Sequence, residues 1–176
     1  MTKGDSNDKG NARMTRTRVD VYLGLGSNLG NRDSNLLQAV NRLDEVFGMH
    51  PERISRIVES PAWGFEGEPF LNMCLLYRPV QEGTPVEHAT ALLHAFKEIE
   101  AAMGRPADEL LYAPDGTRLY HNRIIDIDLL YYGNEKIETE ELTVPHPLIG
   151  ERDFVKKPLR EISKPALRNA FPEIFG

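Results

Sequence analysis

The sequence predicts an α+β domain of element order β-α-β-β-α-β, with one four-stranded antiparallel core sheet, two helices on one of its faces and additional C-terminal elements. Three observations carry that expectation. Four separate stretches read as strands, two others repeat apolar residues at helical spacing, and the link between the second and third strands is too short for a helical crossover.

The first strand is read from Val19, Val21, Leu23 and Leu25, which alternate with Asp20, Tyr22 and Gly24 and run into GSNLGN. A helix follows, with Leu36, Leu37, Val40, Leu43, Val46 and Phe47 on its apolar side and Gly48 as its stop. Residues 53 to 60 and 70 to 78 form the next two strands, joined as a long hairpin by PAWGFEGEP. Thr84, Pro85 and Glu87 make a capping box with proline at the first helical position. The helix they open buries Ala89, Leu92, Leu93, Phe96, Ile99 and Met103 and ends near Gly104. A long polar segment, GRPADELLYAPDGTRLYHN, precedes the fourth strand at 123 to 132, and segments of this length without structure of their own tend to be functional or mobile. The order is that of the split βαβ, or ferredoxin-like, arrangement. The final segment TVPHPLIGERDFVKKPLREI, with proline breaks and short helical stretches, is expected to fold back across an edge of the site.

Residues 1–16 are polar and lack the apolar centre of a secretory signal, so they read as a flexible tail before a single domain at 17–176. No apolar run approaches the roughly 20 residues that span a bilayer, which favours a cytoplasmic protein without a membrane partner. The formal net charge of -6 argues against a nucleic-acid partner, since that role leaves a basic footprint. Cys74 is the single cysteine and is read as a small buried apolar side chain.

The stretch HNRIIDIDLLYYG carries the chemistry. On a strand, Asp126 and Asp128 share one face roughly 6.6 Å apart, with Ile125, Ile127 and Leu129 on the other. Paired acids on an exposed face are ordinarily solvated; among this many apolar neighbours they require cations, because like charges resist joint ionisation. Magnesium fits, since it accepts one or two carboxylates and takes its remaining ligands from water and substrate phosphates. Two such ions can clamp the attacking and leaving oxygens of a phosphoryl transfer. Arg123, Arg105 and Arg152 are candidates for neutralising phosphate charge. His146 in VPHP reads first as a turn residue. GLGSNLGN is a poor dinucleotide fingerprint, because Leu29 stands where the last glycine belongs and a hairpin follows; a tight turn near the substrate is the better reading. Trp63, Phe65 and Phe70, near Ser60 and Asn72, suit a flat heterocycle whose edge an amide reads.

Taken together, YLGLGSNLGNR, SPAWG with PFLNM, NRIIDIDLLYYGNE and LTVPHPLIGERDFVKKPLREI resemble the 6-hydroxymethyl-7,8-dihydropterin pyrophosphokinases of folate biosynthesis, from about Tyr22 to Ile162. The resemblance implies an ATP- and magnesium-dependent diphosphotransferase that moves pyrophosphate from ATP to the hydroxymethyl group of 6-hydroxymethyl-7,8-dihydropterin and releases AMP. It implies two magnesium ions on Asp126 and Asp128, and phosphate contacts from Arg123, Arg105 and His146, with Arg152 on a further basic position. Phe70 and Phe154 match rings that sandwich the pterin, and Asn72 its hydrogen-bonding amide, beside Ser60 and Pro61. Leu129, Leu142 and Thr143 match positions around the adenine, and Glu100 one near the nucleotide. Trp63 and Tyr120 complete the substrate side, each departing from the family's usual residue. A monomer is expected, and the 104–122 segment is expected to close over bound substrates. Two rivals follow from the same topology. A palm-like nucleotidyltransferase or cyclase would release pyrophosphate, and an RNA-recognition module would need the aromatic K/R-G-F/Y-G/A-F-V-x-F/Y strand motif that is missing.

Overall fold

The computed structural model describes residues 16–176, so the tail assigned to 1–16 lies outside the described residues except for its last position. Its elements are β1 (Val21–Ser27), α1 (Arg32–Phe47), β2 (Arg53–Ile54), β3 (Val58–Ser60), β4 (Phe70–Tyr77), α2 (Pro85–Ala102), β5 (Asp126–Tyr132), β6 (Ile137–Glu138), β7 (Thr143–Val144), α3 (Asp153–Ile162), α4 (Pro165–Ala170) and α5 (Pro172–Phe175). Every strand pairing is antiparallel, and β1 lies between β4 and β5, with β2 and β3 both on the outer edge of β4. The predicted α+β, ferredoxin-like arrangement is therefore the one observed, with one difference of detail. The predicted strand at 53–60 is two short strands, because the Ser55 hydroxyl takes the Cys74 backbone N–H at 2.8 Å and interrupts the ladder.

Both helices begin and end as their sequences demand. Asn31 Oδ1 accepts from Ser34 N at the start of α1, and Gly48 closes that helix at φ 65, a left-handed conformation that favours glycine. The capping box of Thr84 and Glu87 is closed in both directions at the start of α2. Leu37 and Val46, expected on the apolar stripe of α1, are instead exposed; the helix buries the narrower line of Leu36, Ala39 and Leu43.

The sheet separates two cores. On one face Leu23, Leu25, Leu75, Ile127 and Leu129 pack with Leu36, Leu43, Leu92 and Phe96 of α1 and α2. On the other Tyr22, Cys74, Leu76, Leu130 and Tyr131 pack with Val155, Leu159 and Ile162 of α3 and with Leu167 and Phe171 beyond it. The C-terminal helices thus cover part of the second face, and the remainder, at the start of β5, stays open. Asp126 and Asp128 lie there, as their alternation with Ile127 and Leu129 predicts. Among the described residues no helix is long and apolar enough to cross a membrane.

Candidate active site

A cleft of about 420 Å³ opens on that second face and reaches round the β5 edge to α2. Its floor follows from strand register. Across the sheet, Asp126 of β5, Gly26 of β1 and Asn72 of β4 form one row, and Asp128, Gly24 and Cys74 form the next. Glycines on the central strand leave a trough between the acids on one side and the amide on the other, which lie about 9–10 Å apart by the spacing of strands. A Cβ at Gly26 would come within 3.3 Å of the Phe70 ring and 3.4 Å of Asn72 Oδ1, so a side chain there would fill the trough.

On the β4 side the amide is already oriented. Asn72 Nδ2 donates to the Val58 carbonyl at 3.0 Å and to the Ser60 hydroxyl at 2.8 Å, which turns Oδ1 toward Gly26 and the cleft. Phe70 and Pro61 line this end, and Phe154 of α3 enters the same cleft from the C-terminal layer. Trp63 stands edge-on to Tyr120 with ring centroids 5.3 Å apart, bringing the 61–69 and 104–122 segments together over the opening. The Arg152 guanidinium lies 4.6 Å from the Trp63 ring centroid and 3.9 Å from Asp128 Oδ2. Its Nε is buried with no hydrogen-bond partner among the described residues.

On the β5 side the charges are unbalanced. Burial pushes the Asp128 carboxyl up to about 7, with the Asp126 charge adding to the effect, and Arg152 offsets only part of it. Glu100 of α2, which lines the cleft beside them, is raised to about 9 by burial and then by Asp126, although Arg105 Nη1 lies 2.9 Å from its Oε2. Asp128 and Glu100, both raised in part by the Asp126 charge, are carboxyls whose ionised form a bound cation would favour. The donor set also says which kind. Among the described residues no group of three or more His, Cys, Asp or Glu is arranged to hold a metal by itself. Two aspartates on an open cleft suit magnesium, which keeps the rest of its octahedron for water and phosphate oxygens.

The basic residues surround this acidic end. Arg123 is buried; its backbone N–H donates to Asn28 Oδ1, and its side chain is held by Glu109. Arg105 Nε donates to the other oxygen of Glu109 at 2.9 Å. His146 is lowered to about 4 by burial and by the Arg152 charge, so at neutral pH it is uncharged. Its Nδ1 accepts from Leu148 N at 3.2 Å, which leaves the proton on Nε2, a donor into the cleft.

The structure therefore brings together Asp126, Asp128, Arg105, Arg123, His146, Arg152 and Glu100 at one end and Ser60, Pro61, Trp63, Phe70, Asn72, Tyr120 and Phe154 at the other. Leu129, Leu142 and Thr143 are not in its lining. Leu129 and Leu142 are core residues and Thr143 is exposed on β7. They lie on the α2 side of the sheet, where His94 of α2 bonds Glu141 just before them at 2.8 Å. Four residues escaped sequence reasoning. Leu93, Lys97 and Glu100 line the cleft from one stripe of α2, and that spacing would have revealed Lys97. Arg118 also lines it. Glu109 joins two of the arginines. Asn28 is a buried hub, donating to Glu68 O and Asn122 Oδ1 while accepting from Arg123 N, so it ties the glycine turn to both flanking segments.

A sequence model of the 7,8-dihydro-6-hydroxymethylpterin-pyrophosphokinase family matches residues 22–164. The chain is 42% identical over 143 residues to a 2-amino-4-hydroxy-6-hydroxymethyldihydropteridine pyrophosphokinase of Aquifex aeolicus, covering 81% of this chain and 79% of that one. A protein of the same description from Porphyromonas gingivalis is 38% identical over 145 residues, 81% of this chain and 90% of its own. The folate synthesis bifunctional protein of Arabidopsis thaliana is 37% identical over 149 residues, 84% of this chain and 28% of that protein.

Proposed function

Because the chain belongs to the 7,8-dihydro-6-hydroxymethylpterin-pyrophosphokinase family, we infer that it transfers pyrophosphate from ATP to the hydroxymethyl group of 6-hydroxymethyl-7,8-dihydropterin in folate biosynthesis, releasing AMP. The observation that carries this reading to particular residues is the glycine-floored trough, with paired acids along one side and an oriented amide between aromatic rings along the other. A flat heterocycle and a metal-bound triphosphate need those two surfaces side by side.

The pterin lies between the rings of Phe70 and Phe154, where the quadrupole of each ring favours an offset stack. Asn72 Oδ1 accepts from its polar edge, with Ser60 and Pro61 at the rim and the glycine floor letting the ring approach the sheet. Asp126 and Asp128 would hold the magnesium that accompanies ATP, two ions in this reading, which would supply neutralisation of the triphosphate and a lower pKa for the attacking hydroxyl. Arg105, Arg123 and Arg152 oppose the phosphate charge from fixed positions, and His146 Nε2 donates a neutral hydrogen bond. Glu100 stands beside the nucleotide, and Leu129, Leu142 and Thr143, which do not line the cleft, would border its base beyond the α2 side. The substrate hydroxymethyl oxygen attacks the β-phosphorus, the bond from that phosphorus to the oxygen it shares with the α-phosphate breaks, and AMP leaves. Catalysis here is positioning and charge neutralisation, with Trp63 and Tyr120 limiting the access of water.

Three finer readings complete the proposal: residues 17–176 act as the one domain, the protein is a cytoplasmic monomer, and it has neither a nucleic-acid nor a membrane partner. The reaction itself is tested by incubating protein with magnesium, ATP and the reduced pterin and resolving the products. AMP should appear one for one with the pterin diphosphate; release of pyrophosphate without AMP contradicts the reading.

A further inference from the structure

An internal anion sits on two of the arginines assigned to the phosphates. Glu109 Oε2 accepts from Arg105 Nε at 2.9 Å, and its Oε1 accepts from Arg123 Nη1. Each carboxylate oxygen is thus taken by one guanidinium, the way two oxygens of a phosphate would be. The three side chains are 24%, 9% and 10% exposed for Arg105, Arg123 and Glu109, so the contacts are only weakly screened by solvent.

The two arginines are held independently of Glu109. Arg105 keeps a second bond, from Nη1 to Glu100 on α2 at 2.9 Å, and the Arg123 backbone is tied to Asn28 through both its N–H and its carbonyl. Glu109 lies between α2 and β5 in a segment whose backbone bonds are mostly its own, Leu119 N to Leu111 O and Ala113 N to Thr117 O beside the Tyr112–Arg118 bridge, and its neighbours Leu110 and Tyr112 are 69% and 59% exposed. A second cavity of about 500 Å³, which Glu109 lines together with Arg105 and Arg123, adjoins the cleft and offers room for the carboxylate to move.

We propose that Glu109 sets the affinity for ATP by occupying Arg105 and Arg123 in the free enzyme as a stand-in for phosphate oxygens, so that nucleotide binds only as this carboxylate leaves. The inference rests on the assignment of both arginines to the phosphates. Its quantitative form is simple: the apparent dissociation constant equals the intrinsic one divided by the fraction of molecules with Glu109 released.

The test is calorimetric titration of α,β-methylene-ATP with magnesium into the full chain and its variants. Glu109→Gln, which keeps the size and removes the charge, should tighten binding about tenfold if some nine molecules in ten are latched. Inorganic tripolyphosphate should gain by the same factor while pterin affinity stays unchanged, which a merely structural role of Glu109 would not produce. Glu109→Asp, keeping the charge on a shorter arm, should fall between the two. Trp63, the one tryptophan of the chain, stands beside Tyr120 of the same segment, and its emission in free Glu109→Gln should resemble that of nucleotide-bound wild type. Unchanged or weaker nucleotide binding in Glu109→Gln overturns the proposal. If Arg123→Gln weakens binding in that case, the phosphate assignment stands and only this inference falls. If Arg123→Gln leaves binding unaltered, both fall.

Discussion

At the scale of single residues the site works by restricting what each group can do. Asn72 has two amide protons, and both are spent inside the protein, so its oxygen faces the ligand. His146 has a proton on one known nitrogen because Leu148 N occupies the other. Arg152 has a buried Nε–H with no acceptor among the described residues. Phe154, at the first turn of α3, has a role that can be separated from these. Stacking on a flat base is worth about 1–3 kcal/mol, so Phe154→Ala should raise the pterin dissociation constant roughly tenfold and leave that of magnesium-ATP unaltered. Calorimetry with each ligand in turn checks this, and equal losses for both would remove Phe154 from the pterin stack.

At the scale of elements, α2 does two things with opposite ends of one helix. From its middle to its C-terminal end it presents Leu93, Lys97 and Glu100 to the cleft. Its first turns pin the helix to β5 through His88, whose Nδ1 lies 2.7 Å from the Tyr132 hydroxyl. Burial holds the His88 imidazole below its ordinary range, with the Glu82 charge opposing the shift in part. The unfolded chain therefore binds the proton more readily than the folded one, and stability must fall as pH drops through 6.5 toward the lowered value. Urea denaturation at pH 7.5 and 5.5 should show wild type losing stability on acidification and His88→Gln losing less; an equal loss in both would relieve His88 of the effect. The elements themselves were legible because their signals are local: the capping box of α2, the glycine stop of α1, and alternation in β1 and β5. The break between β2 and β3 was not, since it depends on Ser55 meeting Cys74, a contact across the sheet that no local pattern encodes. Leu37 and Val46 failed for a related reason, because the width of a buried helical stripe is set by what packs against it.

At the scale of the whole molecule, function comes from one face of the sheet being covered unequally. Helices α1 and α2 seal the first face, α3 to α5 seal part of the second, and the remainder is a trough with charge at one end and rings at the other. Asp126 and Asp128 could be assigned from sequence because period-two alternation decides which face they take and because two carboxylates among isoleucines demand a counter-charge. Asn28, Arg118 and Glu109 could not, since their contacts join segments far apart in the chain and only the closed fold brings them together. The central claim is that the two aspartates are tolerated there because they receive magnesium with ATP. Titration of α,β-methylene-ATP with and without magnesium into wild type, Asp126→Asn and Asp128→Asn tests it most directly. Wild type should bind far more tightly with the metal, and both variants should lose that gain while keeping the folded circular dichroism spectrum; a variant that retains the full magnesium-dependent gain would contradict the account.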